Sequence, residues 1–177
     1  AGGHDFAPMH AHDLNFKYYP IDCSVWNPLY DTGNQVPVIV HAPNHRHGKG
    51  TDLIIAACER LQESGYQFEL QLVEGVARSE VMDIYRNADI LLDQIIMGTH
   101  GITALEGLAL GKPVLTYLNE DHLRDPSCNN GLINTNPDNI DEVLKAIVSV
   151  AELRQRIGIA NRQNAEHFHS YDAMGEV

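Results

Sequence analysis

The polar segment HAPNHRHGKG, residues 41–50, contains side chains that could hold an anion. It follows an apolar, β-branched run, and Arg46 and Lys49 lie directly before a helical pattern. Two cations beside the free N–H groups and the positive end of a helix form a typical phosphate site. The alternative is that both cations are solvated loop residues. The segment is not a P-loop, because Pro43 and Gly50 stand where that motif requires Gly and Ser or Thr.

A second segment, MGTHGITALEG at 97–107, opens another predicted helix and places one carboxylate within it. Gly98 and Gly101 would let a ligand approach the backbone, where the first helical N–H groups are donors. Glu106 follows Thr99 by seven residues, which predicts that the two side chains share one helix face. A carboxylate repels phosphate but accepts hydrogen bonds from the vicinal hydroxyls of a sugar such as ribose. The alternative is that Glu106 bonds to a neighbouring backbone group or an arginine.

Strand and helix patterns alternate along the rest of the chain. Strands are predicted at 36–40, 68–75, 89–96, 113–118 and 131–136. Helices are predicted at 51–65 (with Thr51 as the N-cap), 78–88, about 99–110, 137–150 and 151–170. This alternation predicts an α/β fold, a Rossmann-like parallel sheet flanked by helices, whose ligands bind beyond the carboxyl ends of the strands. The two polar segments lie at such ends, although no G-x-G-x-x-G fingerprint follows any strand.

The first part of the chain has a different character. Residues 1–35 show no helical or strand period, and they are interpreted as an N-terminal segment or the remnant of an interdomain linker. A single Rossmann-like domain is expected at 36–177, because 177 residues suffice for one such core. Three histidines of the first segment could ligate a metal, but a solvated tail is the expectation. They are His4, His10 and His12.

The composition limits the classes of partner. The formal net charge is −12, and no cluster of basic residues is present, which argues against nucleic-acid binding but not against a small anionic ligand. The three cysteines form no C-x-x-C pair and favour a reducing compartment. No secretory leader and no apolar run of membrane-spanning length is found, so a cytoplasmic protein is expected.

Several segments together resemble the C-terminal, donor-binding domain of GT-B glycosyltransferases of the large retaining family 4. YYPIDCSVWNP (18–28) is similar to the linker that enters that domain. The segment 41–61 is similar to the region that carries the phosphate-binding Arg and Lys, and 98–114 to the E-x7-E region. ADILL (88–92) and the segment 129–147 also fit in order and spacing. The resemblance identifies the domain at 36–177 as one that binds a nucleotide sugar.

The resemblance implies roles for the residues at matching positions. Lys49 matches the lysine that holds the donor diphosphate and stabilises it as a leaving group, and Arg46 is its expected partner. Glu106 matches the second Glu of E-x7-E, which holds the ribose, and the backbone of 101–103 matches the turn that approaches the phosphates. The predicted catalytic residues are Lys49 and Arg46. The residues predicted to bind substrate are Asn44, Thr99, His100, Gly101, Ile102, Thr103 and Glu106.

Two positions depart from the family pattern. Gly98 stands where the first Glu of the motif contacts the transferred sugar, which leaves donor identity and turnover open. Asn44 stands where the family has an Arg, five residues before the lysine, and Arg46 is expected to substitute for it. The neighbouring histidines, His45, His47 and His100, are interpreted as the rim of the pocket.

The family implies a nucleotide diphosphate sugar as the donor substrate and no cofactor. No metal is expected, since no Asp-x-Asp motif is present. It also implies a partner N-terminal acceptor domain, transfer to a glycan or lipid-linked saccharide, and little transfer by this half alone. A peripheral association of the full-length enzyme with the inner face of a membrane is left open.

Three other functions remain open from the sequence. Gly98 and Asn44 suggest a nucleotide-binding module that has lost catalysis. A sugar-nucleotide epimerase of the same architecture would require a carboxylate and histidine set that we do not find. A flavodoxin-like signalling or cofactor domain would require an acceptor Asp at a strand end; Asp93 is interpreted as lying in the middle of its strand and Asp89 as preceding it.

Overall fold

The computed structural model describes residues 20–129 and 131–175, and the predicted α/β fold is confirmed. The strands are β1 (Val38–His41), β2 (Glu69–Leu72), β3 (Ile90–Gln94), β4 (Val114–Thr116) and β5 (Leu132–Asn134). They form one sheet in the order β2-β1-β3-β4-β5, and every neighbouring pair is parallel. The three N-terminal histidines considered as metal ligands lie outside the described residues.

Helices connect the strands and follow the last of them. They are α1 (Arg46–Lys49), α2 (Thr51–Glu63), α3 (Arg78–Asn87), α4 (Ile102–Ala109), α5 (Glu120–Arg124), α6 (Pro126–Asn129), α7 (Ile140–Ser149), α8 (Ala151–Asn164) and α9 (Tyr171–Gly175). Within the described part of the chain, none of them is both long and apolar enough to cross a membrane.

The two faces of the sheet carry separate hydrophobic clusters, because successive strand residues point to opposite sides. Ile39, Ile90 and Leu115 face α2 and α7, whose buried stripes include Ile54 and Leu144. The opposite face is covered by residues of α3 and α4. Its buried members include Val40, Leu91, Val114, Tyr85, Ala104 and Leu108.

Helix α4 begins at Ile102, three residues later than predicted. The side chain of Gln94, at the end of β3, holds the intervening residues in a turn. Its amide oxygen accepts from the N–H groups of Ile96 (2.8 Å) and Met97 (2.6 Å), and its amide nitrogen donates to the carbonyl of Thr99 (2.8 Å). Thr99 is therefore not helical, and the expectation that it shares a helix face with Glu106 is wrong.

Two further helix boundaries differ from the sequence prediction. The N-cap of α2 is Gly50 rather than Thr51, with a left-handed φ of 76°. A Cβ at Gly50 would lie 2.7 Å from Cγ1 of Ile95, so a side chain there would also clash with the end of β3. The helix predicted over 151–170 is α-helical only to Asn164 and continues as the π-helical turn Ala165–His169.

The described residues before β1 pack onto the C-terminal part of the domain. Ile21 forms a parallel bridge with Ser170, and Trp26 is buried in the cluster that includes α4. The Arg162 guanidinium donates to the carbonyls of Trp26 (2.6 Å), Ala109 (2.6 Å) and Cys23 (3.0 Å). One arginine of α8 thus joins the entering segment to the end of α4.

Candidate functional site

The two polar segments meet at one edge of the sheet, because β1 and β3 are adjacent and parallel. The turn after β1 leads into α1 and ends at Gly50, and the turn after β3 leads into α4. The N–H of Ile95 donates to the carbonyl of Lys49 at 3.2 Å, so the backbones of the two turns are in direct contact. This edge lies at the carboxyl ends of the strands, where ligands of parallel α/β sheets bind.

The side chain of Lys49, whose carbonyl makes this contact, is bound by Asp93. The distance from Nζ to Oδ1 is 2.6 Å, and the side chains are 11% and 0% exposed. The other carboxylate oxygen, Oδ2, accepts from the backbone N–H of Gly101 at 2.6 Å. One carboxylate therefore contacts both turns, and the Gly101 N–H, which was predicted to approach phosphate, has a protein acceptor.

Glu106 lies on the buried side of α4 and is bound by Arg78, at the start of α3. The Glu106 side chain is 2% exposed, whereas that of Arg78 is 61% exposed. Burial raises the pKa of the Glu106 carboxyl, and the hydrogen bond from Arg78 opposes that rise. The guanidinium also lies over the Trp26 ring, 5.6 Å from its centroid. Arg78 thus covers the solvent side of a buried carboxylate.

Lys49 and Glu106 belong to one electrostatic environment. Lys49 lowers the pKa of Glu106, and Asp93 raises it. The hydroxyls of Thr103, on α4, and Tyr85, on α3, are 3.3 Å apart, and burial raises the pKa of Tyr85 to about 12. The site is therefore polar, largely buried and paired in charge.

The predicted residues of the first turn lie farther out. The Arg46 side chain is 44% exposed and contacts two carboxylates, Glu74 at 2.8 Å and Asp52 at 3.4 Å. Asn44, His45 and His47 are exposed. Arg46 is directed toward acidic neighbours, and its role toward a ligand remains a prediction.

The predicted residues of the second turn surround the start of α4. Ile102 is exposed, and His100 is half-buried and meets the His169 ring edge-on at a centroid distance of 6.1 Å. Burial lowers the pKa of His100 to about 4, so its imidazole is neutral at pH 7. Gly98 is buried and has a φ of 78°, which disfavours any side chain at the position where the family has Glu.

Four polar residues of this site were not predicted to belong to it: Asp93, Gln94, Arg78 and His41. Asp93 is the penultimate residue of β3, not a mid-strand residue, because the strand ends at Gln94. The sequence feature that could have identified Asp93 and Gln94 is the presence of two adjacent polar residues within the apolar run DILLDQII. His41 is the last residue of β1. Its Nδ1 lies 2.8 Å from the carbonyl oxygen of Leu92, and its Nε2 lies 2.9 Å from the Thr51 hydroxyl.

No cluster of three or more His, Cys, Asp or Glu side chains within the described ranges is arranged to hold a metal ion. A scan against protein-family models finds no match, and neither does a search of curated protein sequences. Solved structures, in contrast, match over most of the chain.

Sucrose-phosphate synthase from Thermosynechococcus elongatus superposes with a TM-score of 0.67 at 13% identity, over 89% of this chain and 50% of that one. Anabaena Alr3699/HepE, in complex with UDP-glucose, superposes with a TM-score of 0.64 at 11% identity, over 89% of this chain and 54% of the HepE chain. The third structure is the C-terminal domain of LpcC from Francisella tularensis, a glycosyl transferase group 1 family protein. It superposes with a TM-score of 0.60 at 16% identity, over 85% of this chain and 99% of the LpcC domain.

These likenesses define the fold. The chain has the Rossmann-like α/β architecture of a GT-B glycosyltransferase domain. It spans about half the length of the synthase and HepE chains and nearly the whole of the LpcC domain.

Proposed function

We propose that this chain is the nucleotide-sugar-binding domain of a glycosyltransferase. The observation that carries the proposal is that Asp93 bonds both to Lys49, in the turn after β1, and to Gly101, the N-cap of the helix that carries Glu106. These residues lie at the edge of the sheet where ligands of this fold bind. The fold is shared with a structure that contains UDP-glucose, which supports a nucleoside diphosphate sugar as the ligand.

The diphosphate would lie between Lys49 and the start of α4. Asp93 takes one of the three ammonium hydrogens of Lys49, whose side chain is 11% exposed, and the other hydrogens are left for a ligand. The N–H groups of Ile102 and Thr103 are in the first turn of α4, where a helix provides no acceptor for them. Cleavage of the glycosyl–phosphate bond places negative charge on the diphosphate, and donors fixed in advance stabilise that charge.

The ribose would bind at Glu106. Arg78 covers this carboxylate, so ribose hydroxyls would bond to it in place of the exposed guanidinium. A buried carboxylate without any partner is costly, and either Arg78 or the ligand must therefore always contact it.

The finer features of the reaction are part of the same proposal. The resemblance supports a retaining, hexosyltransferase-like enzyme of the family 4 kind that uses no metal ion, acts in the cytoplasm and takes a glycan or lipid-linked acceptor. The acceptor site and the acid/base residues would belong to a second domain. We therefore expect this chain alone to bind the nucleotide and to transfer little sugar.

Calorimetry with UDP, GDP and ADP tests the proposal. We expect one of them to bind, and the variants Lys49→Met and Glu106→Gln to weaken that binding about ten-fold each. Lys145→Met is the matched control, because Lys145 is an exposed lysine of α7 away from the site. The absence of binding at millimolar concentrations of all three nucleotides would contradict the proposal.

Gly98 favours a second candidate, a module that binds the nucleotide without transferring sugar. A Cβ at this position would lie 3.4 Å from Cβ of Asn119 and 3.6 Å from Cε1 of Tyr117, and the φ of 78° would be strained for Glu. Release of UDP from UDP-glucose by the complete native protein separates the candidates, since only the enzyme would turn over.

A further inference from the structure

The Asp93 carboxylate bonds to Lys49 and to Gly101, the residue before α4, and so links the two halves of the proposed phosphate site. We define this site as the Lys49 ammonium together with the N–H groups of Ile102 and Thr103. Asp93 holds the ammonium directly at 2.6 Å, and it holds the start of α4 through the Gly101 N–H, also at 2.6 Å. The two turns come from different strands, and this one side chain bonds to both.

Burial determines what Asp93 can do in this place. The Asp93 side chain is fully inaccessible to solvent and that of Lys49 is 11% exposed, so a ligand that contacts Lys49 does not reach the carboxylate. Lys49 cannot move away toward a ligand without leaving a buried charge unpaired, which is strongly unfavourable. The ammonium must therefore meet the ligand from the position that Asp93 gives it.

Gly101 is the residue that this contact requires. A Cβ at position 101 would lie 3.0 Å from Oδ1 and 3.1 Å from Oδ2 of Asp93, closer than a side chain normally comes. The backbone there is extended, with φ −99° and ψ −176°, so glycine is not needed for the conformation. The close approach of Asp93 thus explains why residue 101 is a glycine, which the sequence analysis had attributed to the approach of a ligand.

We propose that Asp93 is a positioning residue of the phosphate site. It fixes the Lys49 ammonium and, through Gly101, the first turn of α4 in the arrangement that receives a diphosphate. This inference rests on the proposed function for the identity of the ligand. The contacts themselves are present without a ligand.

A double-mutant cycle between Asp93 and Lys49, measured by UDP and pyrophosphate binding, tests the inference. We expect Asp93→Asn to weaken binding about ten-fold, as Lys49→Met does, and the double variant to be no weaker than Lys49→Met alone. Asp89→Asn is the matched control: Asp89 lies next to the other end of β3, where its carboxylate accepts from Thr32, Asn34 and the Val38 N–H. It should lower the melting temperature without changing binding.

A second variant covers the case in which Asp93→Asn does not fold. Gly101→Ala disturbs the same contact from the other side while it leaves all charges in place, and we expect it to weaken UDP binding several-fold. Wild-type or tighter binding by either variant would overturn the inference. Additive losses in the double-mutant cycle would do the same, because they would mean that Asp93 does not act through Lys49.

A measurement without ligand separates this inference from the proposed function. Acetylation of Lys49, followed by mass spectrometry and referred to the exposed Lys145, reports how firmly the ammonium is held. We expect the Lys49 rate to rise about five-fold or more in Asp93→Asn and to stay unchanged in Asp89→Asn. If wild type binds no nucleotide but this rate rises, only the proposed function has failed. An unchanged rate would refute the positioning role itself.

Discussion

The charged side chains that the sequence assigns to the ligand each contact an opposite charge of the protein. Lys49 is paired with Asp93, Arg46 with Glu74, and Glu106 with Arg78. The two buried members, Lys49 and Glu106, could not remain charged inside the domain without such partners. The sequence identified the charged residues, and their role toward a ligand remains a prediction. The sequence could not indicate the partners, which lie 28 to 44 residues away along the chain.

Removal of the Arg78 guanidinium should lower the stability of the domain, because Glu106 would then be buried without its charged partner. We expect Arg78→Ala to lower the free energy of unfolding by about 2 kcal/mol at pH 7, since a buried charged acceptor loses its donor. The matched control is Arg60→Ala, whose pair with Asp141 is 54% exposed on both sides. Exposed pairs contribute about 0.5 kcal/mol, so the control should change little.

The loss in Arg78→Ala should depend on pH with a definite sign. Burial raises the pKa of Glu106, and Arg78 opposes that rise, so the variant has a higher pKa still. A carboxyl whose folded pKa is raised favours the folded state at low pH, and this contribution is lost as the pH rises through that pKa. Urea unfolding should therefore show the variant approaching wild type as the pH falls toward 4.5, the unperturbed value. A loss of equal size at both pH values would contradict this account.

Helices α4 and α8 approach each other closely at the end of α4. Gly111, just beyond α4, has a φ of 68°, and its carbonyl lies against Gly158 in α8. A Cβ at Gly158 would be 2.1 Å from that carbonyl oxygen, a contact with backbone that cannot rotate away. The absence of a side chain at Gly158 therefore sets the distance between the two helices.

Gly158→Ala should destabilise the domain by about 2 kcal/mol, because the added methyl group must separate two packed helices. Alanine ordinarily stabilises a helix relative to glycine, so a loss of stability would identify packing as the cause. Gly175→Ala in α9 is the control, since a Cβ there has no neighbour within 4 Å. Thermal unfolding of both variants measures the difference. An equal or higher melting temperature for Gly158→Ala would show that the helices can adjust.

The strands and the longer helices could be predicted from the sequence, and the short helices could not. Apolar runs located the five strands, and apolar periodicity located helices such as α2 and α7, which are 13 and 10 residues long. Helices α1, α5, α6 and α9 are four or five residues long, which is too short for a period to be recognised. The start of α4 depended on side-chain bonds from Gln94, and hydrophobic patterns carry no information about these.

Topology explains why the sequence could predict that the two polar segments meet. In a parallel α/β sheet, turns that follow adjacent strands meet at one edge, and β1 and β3 are adjacent. The backbone contact between Lys49 and Ile95 follows from that arrangement.

Within the described part of the chain, two buried histidines and the half-buried His100 have lowered pKa values, chiefly because burial disfavours the imidazolium. The pKa values of His41 and His100 are lowered to about 4, and that of His169 is also lowered. For His41, the cations Lys49 and Arg46 also lower the pKa, while Asp93 and the hydrogen bond to Leu92 raise it. Between about pH 4 and 6.5, His41 and His100 are neutral in the folded chain and protonated in the unfolded chain.

The domain should therefore lose stability as the pH falls from 6.5 toward 4. A histidine with a depressed pKa contributes stability that is present above its unfolded value and is lost below it, about 3 kcal/mol for His41 over this range. Glu106 acts in the opposite direction, so the net fall should be smaller than the sum over the histidines. Urea unfolding at several pH values measures it: His41→Gln should flatten the profile, and the exposed control His45→Gln should leave it unchanged. A wild-type profile without a fall, or an imidazole of His41 that titrates near 6.5 by NMR, would refute the expectation.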